Sequence, residues 1–122
     1  IVGTSHALEL SIEAMNDLAG EDISADIIDL RTLKPLDEQI ILESVKKTGK
    51  ILIVDTGWEM GGVCAEIGCL VAEKAFFDLK APVRRIGLPD IPHPAGFTLE
   101  QYFYPDKNKI AKTIREMVYK KQ

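Results

Sequence analysis

A chain of 122 residues has the length of one domain and can bury one modest core. Its 46% hydrophobic and 28% charged residues exclude the composition of a disordered segment, and no apolar run approaches the roughly 18 residues of a membrane span. A formal net charge of −4 gives the chain no polycationic footprint for nucleic acid.

Ile1-Val2-Gly3 reads as the tail of a strand already under way, so the chain is expected to be a fragment of a longer one, without a signal-peptide pattern. Leu8, Ile12, Met15 and Ala19 then recur at helical spacing and predict an amphipathic helix that stops at Gly20. A second β-branched run spans Ala25 to Leu30. Asp37 is placed to cap the next helix, whose apolar stripe is Ile41 and Val45; Lys46 and Lys47 suit its C-terminal dipole, and Gly49 ends it. A third strand is predicted from Ile51 to Asp55.

The loop Asp55 to Gly62 follows, and a third helix is expected from about Gly62 to Phe76, with Val63, Ile67, Leu70 and Val71 on one side and the small residues Ala65, Gly68, Ala72 and Ala75 between them. Val83 to Gly87 is the fourth strand. Beyond it, three prolines between Leu88 and Gly96 forbid a regular helix or a central strand. Thr98 with Gln101 forms a capping-box pattern, and Asp106 is positioned to cap a last helix carrying Ile110, Ile114, Met117 and Val118. From Pro105 onward Lys107, Lys109, Lys112, Arg115, Lys120 and Lys121 face only Asp106 and Glu116, a local +4 that leaves −8 for residues 1 to 104. This basic stretch reads as a solvated helix face.

Strands alternating with helices predict one α/β domain over residues 1–122: a three-layer α/β/α sandwich on a mostly parallel sheet of four to five strands. A doubly wound topology puts a crevice at the carboxyl ends of the first and third strands, where Thr4, Ser5 and His6 would face the loop Thr56 to Gly62. Thr4, Ser5 and His6 open a helix directly after a strand, so they are candidates for an anion site, although no phosphate-loop motif is present; the alternative is a plain N-cap.

In the second loop, Trp58, Glu59, Met60, Gly61 and Gly62 are interface candidates, because a Trp and a Met beside flexible backbone suit burial by another subunit as well as folding back over the domain's own core. His93, held between Pro92 and Pro94, is a candidate for approach to a substrate or a neighbouring subunit. His6 and His93 lie in different loops, and Cys64 and Cys69 lack metal-ligand spacing, so no metal site is predicted and the cysteines read as two buried reduced thiols. No catalytic or cofactor-binding residue is identified.

The blocks Asp29-Leu30-Arg31-Thr32-Leu33-Lys34-Pro35-Leu36-Asp37, Ser44 to Lys50, Gly61 to Ile67, Leu79 to Ile86 and Asp90-Ile91-Pro92-His93-Pro94 resemble the C-terminal domain of the beta subunit of thiamine-diphosphate-dependent 2-oxo acid dehydrogenases. The same domain type closes transketolase and deoxyxylulose-phosphate synthase. Tyr102 to Lys107 is similar to branched-chain-type relatives, whereas Asp55-Thr56 stands where many relatives carry two glutamates and Cys64 where a Gly or Ala is common.

The resemblance implies an oxidoreductase of the cytoplasm, or of the mitochondrial matrix in a eukaryote, built into a multienzyme complex. Its parent reaction is oxidative decarboxylation of pyruvate or a branched-chain 2-oxo acid with acyl transfer to a lipoyl group. It also implies an antiparallel edge strand upstream of Ile1, and thiamine diphosphate and Mg²⁺ held by parts of the parent outside this chain. The implied partners are an alpha subunit, a second beta subunit and the subunit-binding domain of the dihydrolipoyl acyltransferase. The fragment alone is expected to be inactive. A regulatory domain binding an anion at Thr4 to His6 is the reading from a different functional class.

Overall fold

A computed structural model describes residues 1–119, so Lys120 and Lys121 of the basic stretch lie outside the described residues. Four strands, β1 (Val2–Gly3), β2 (Ile28–Asp29), β3 (Leu52–Trp58) and β4 (Arg84–Leu88), form one sheet in the order β2-β1-β3-β4, with every pairing parallel. Helices α1 (Ser5–Asp17), α2 (Glu38–Thr48), α3 (Val63–Lys74), α4 (Phe97–Glu100) and α5 (Lys107–Tyr119) complete the chain, with a 3-10 turn at Phe76–Asp78. The strand order reverses between β1 and β3, which places a crevice at their carboxyl ends.

The central strand shows why three layers form. Successive side chains of a strand point to opposite faces. Ile51 and Ile53 join Val2, Ile28, Ile41, Val45, Ile67 and Val71 on the α2/α3 side, while Leu52 and Val54 join Ala7, Ala14, Leu18, Ile86, Ile110 and Ile114 on the α1/α5 side. An apolar run buried on both faces is the pattern of a central parallel strand.

Helix ends follow the expected chemistry at three places. Asp37 accepts from the Ile40 N–H at 3.3 Å, and Gly49 ends α2 in the left-handed region at φ 72°. Asp106 Oδ1 accepts from the N–H groups of Asn108 and Lys109 at 2.7 and 3.0 Å, capping α5.

Elsewhere the structure corrects the sequence-based expectations. In α1 the buried residues are Ala7, Ser11 and Ala14, followed by Leu18, one position before each member of the expected stripe; Ile12 is 43% exposed. The small side chains thus face the sheet, while Leu8 and Met15 are half-buried along the sides of the helix. Ser11 satisfies its buried hydroxyl by donating to the Ala7 carbonyl at 2.7 Å. Helix α4 starts at Phe97 after Gly96, so Thr98 lies inside its first turn; its carbonyl accepts from Gln101 Nε2 and no capping box forms. Cys64 is buried as expected, but Cys69 is exposed on the outer face of α3.

The basic face of the last helix is solvent-exposed at Lys109, Lys112 and Arg115, and two of its cations pair with acids of α1 and the turn after it. Lys107 Nζ lies 2.9 Å from Asp17, and Arg115 meets both carboxylate oxygens of Glu21 through its Nε and Nη2. Exposed, solvent-screened pairs of this kind contribute little to stability.

Candidate functional site

The carboxyl ends of β1 and β3 bring Thr4, Ser5, Leu8, Asp29, Arg31, Asp55 and Thr56 around one open crevice. Thr4 occupies the N-cap position of α1, yet its hydroxyl donates to Asp55 Oδ1 at 2.8 Å instead of to the helix. The same oxygen of Asp55 accepts the Thr56 N–H at 2.9 Å. Ser5 holds a positive φ of 46°, a conformation an L-residue adopts at some cost. His6 does not line the crevice itself, but its Nδ1 lies 2.9 Å from Glu9, which does.

Arg31 pairs with Asp29 through its Nε, so the carboxylates lining this crevice, Glu9, Asp29 and Asp55, outnumber its one guanidinium. A field of that sign opposes a diphosphate or any other anion. The residues present therefore do not fit a thiamine diphosphate site. Among the described residues, no group of three His, Cys, Asp or Glu side chains is arranged to hold a metal ion.

Strand β3 runs through Gly57 to Trp58, three residues further than the sequence suggests, with its register against β4 shifting between Val54 and Trp58. This irregularity carries Trp58 out to the rim of the sheet. Glu59 is fixed from two sides: its N–H donates to the Leu88 carbonyl at 3.1 Å, and its own carbonyl accepts from Arg85 Nη1 at 3.0 Å. Gly61 adopts φ 68° and a Cβ on Gly62 would stand 2.0 Å from the Trp58 carbonyl oxygen, so this reversal favours glycine at both positions.

Trp58 is 46% exposed and its ring meets the edge of Phe103 at 6.1 Å. His93 packs on the same Phe103, centroids 4.8 Å apart; its Nε2 lies 3.3 Å from the Tyr104 hydroxyl and 3.7 Å from Glu100. Two loops that are separate in sequence thus share one aromatic anchor. Phe103 is only 4% exposed, and it is the residue the sequence reading missed. The signal was present in the density of rings at Tyr102-Phe103-Tyr104, which has no place in a solvated loop.

In the segments that carry these rings, Met60, Ile91, Phe97, Leu99 and Tyr102 stand out to solvent, Phe97 at 87% and Tyr102 at 80%. Scattered exposed apolar residues are ordinary on a folded chain. Neither cysteine adds chemistry here. Burial, with Asp55 and Glu59 nearby, pushes the Cys64 thiol up to about 12, and Glu73 raises that of Cys69.

The family described as "Transketolase, C-terminal domain" matches residues 1–110. The chain is 38% identical over 119 residues to the pyruvate dehydrogenase E1 component subunit beta of Rickettsia felis, covering 98% of this chain and 36% of that protein. It is 37% identical over 111 residues to the 2-oxoisovalerate dehydrogenase subunit beta of Bacillus subtilis, covering 90% of this chain and 34% of the relative. Among solved structures, a split-gene transketolase described as an inactive beta4 tetramer superposes with a TM-score of 0.76 at 24% identity, over 99% of this chain and 38% of the other. The chain spans about a third of the length of the curated relatives it matches.

Proposed function

This chain belongs to the transketolase C-terminal domain family, and from that membership we propose that it is the assembly and partner-binding domain of the beta subunit of a 2-oxo acid dehydrogenase. The observation that carries this reading is the exposed apolar side chains of the two segments that meet at Phe103: Trp58 and Met60 on one, Phe97, Leu99 and Tyr102 on the other, which a partner chain can bury. Glu59, Gly61 and Gly62 shape the turn that presents Trp58, and His93 braces the proline-rich segment against the same anchor.

In this reading the partners are the alpha subunit and a second beta subunit, with the binding domain of the dihydrolipoyl acyltransferase as a third. The parent decarboxylates pyruvate or a branched-chain 2-oxo acid in the cytoplasm or the mitochondrial matrix. Thiamine diphosphate supplies the electron sink for that decarboxylation; in this reading it and Mg²⁺ belong to other parts of the parent. No helix among the described residues is long and apolar enough to cross a membrane.

Two measurements test the proposal. Incubated alone with thiamine diphosphate, Mg²⁺ and pyruvate or 2-oxoisovalerate, the chain is expected to release no CO₂ above the blank; sustained turnover overturns the assignment of an assembly role. In a reconstituted parent enzyme, Tyr102→Ser and Phe97→Ser are expected to weaken subunit association in sedimentation. Unchanged association in both variants would remove this surface from the interface.

A further inference from the structure

Residues 89 to 104 cross the surface of the domain with little to hold them. From Pro89 to Tyr102 no residue is buried, whereas Leu88 before the segment and Phe103 and Pro105 at its end are. Pro89, Pro92 and Pro94 offer no N–H for a hydrogen bond. Among the described residues, every hydrogen bond that residues 89 to 104 make goes to another member of the same segment. A hollow of about 460 Å³ lies where Pro89 and Asp90 leave the body of the domain at Glu59, Met60 and Ala65.

Phe103 is the exception. Its ring is 4% exposed, yet it belongs to neither of the clusters that pack the two faces of the sheet. Of its aromatic contacts, the one with Trp58 crosses to the body, while those with His93 and Tyr104 stay inside the segment. His93 also reaches Glu100 and the Tyr104 hydroxyl, so the two halves of the segment are tied to each other. Helix α4 has four residues, too few to persist without such ties.

We propose that residues 89 to 104 form a strap that opens as one unit between Leu88 and Pro105 when Phe103 leaves its seat and, on the assembly role proposed above, that partner association holds it shut. Opening breaks the Trp58 contact and wets one ring but spares both core clusters, so it costs less free energy than global unfolding. Trp58 and Met60 ride on the body, where the Glu59 N–H is bonded to Leu88; Phe97, Leu99 and Tyr102 ride on the strap. Opening therefore separates the two halves of the partner surface. A partner that contacts both halves binds the closed form and draws the equilibrium toward it.

Amide hydrogen exchange of the isolated chain tests the opening with no partner present. Leu99, Glu100, Tyr102 and Phe103, whose N–H groups are bonded within the strap, are expected to share one protection factor at least tenfold below that of the β3 amides. Dilute urea, and Val45→Ala in the α2/α3 side of the core, should speed β3 exchange and leave the strap amides within twofold of their rate. Phe103→Ser should speed the strap amides at least tenfold with the wild-type circular dichroism retained. In a reconstituted parent the wild-type strap amides should exchange at least tenfold more slowly than in the isolated chain. The strap is overturned if its amides follow those of β3 in urea and in Val45→Ala, or if they ignore Phe103→Ser; equal rates in parent and isolated chain overturn its link to assembly. The assembly role fails separately, through unchanged association in Phe97→Ser and Tyr102→Ser.

Discussion

Replacing Trp58 with alanine separates the two readings of this residue, partner contact and core. A fully buried Trp or Phe truncated to alanine costs about 3–5 kcal/mol. Trp58 is 46% exposed, so roughly half of that penalty applies, about 1.5–2.5 kcal/mol. The edge-to-face contact with Phe103 accounts for about 0.5–1.5 kcal/mol of that loss. Against a typical domain stability of about 5–15 kcal/mol, the variant stays folded.

Urea denaturation followed by far-UV circular dichroism should therefore show a lower midpoint with an unchanged slope. In a reconstituted parent, the same variant should associate at least tenfold more weakly by analytical ultracentrifugation. A loss above about 4 kcal/mol in the isolated chain would match a fully buried Trp and refute the reasoning, as would full stability together with undiminished association.

Gly62→Ala should cost about 1–3 kcal/mol, read as a lower thermal midpoint, because the new methyl meets the backbone carbonyl of Trp58 instead of a movable side chain. Lys47 and then Ser44 hold the Asp26 carboxyl below the usual carboxylate range. Its stabilising contribution is therefore complete above the unfolded-state value near 3.9 and is lost as pH falls through the depressed folded value. Acid titrations should accordingly show Asp26→Asn flattening the stability loss below about pH 4. With a thiol-specific disulfide reagent at pH 8, Cys69 should react in the folded chain and Cys64 only after unfolding; Glu73→Gln should speed Cys69 by lowering its raised value.

Much of this architecture is legible from residue patterns, because the features concerned are local. The two-sided apolar run Ile51 to Val54, the Asp37 and Gly49 ends of α2 and the Asp106 cap each depend on a few neighbouring residues. The register of α1 is not legible in that way. Leu8, Ile12 and Met15 carry more hydrophobicity than Ala7, Ser11 and Ala14, yet the small residues go inside, because packing against the sheet and α5 sets the rotation of the helix. Contacts between distant residues are equally hidden. Thr4 finds Asp55 only when β1 and β3 become neighbours, and Trp58 and His93 converge only because Phe103 folds back beneath both. The rings of the candidate site were visible as residues, but not as one cluster.

The pairing of α1 with α5 bears on how this domain comes into being. Arg115 and Glu21 stand 94 positions apart, and Ile110 and Ile114 complete the cluster that covers Leu52, Val54 and Ile86. A ribosome emitting about 5–20 residues per second exposes that side of the sheet for several seconds before α5 emerges. During that interval the α2/α3 side can close while the α1/α5 side stays open to water. The nascent chain is thus most exposed to aggregation and chaperone capture just before its last helix arrives, and shortening α5 would make that interval permanent.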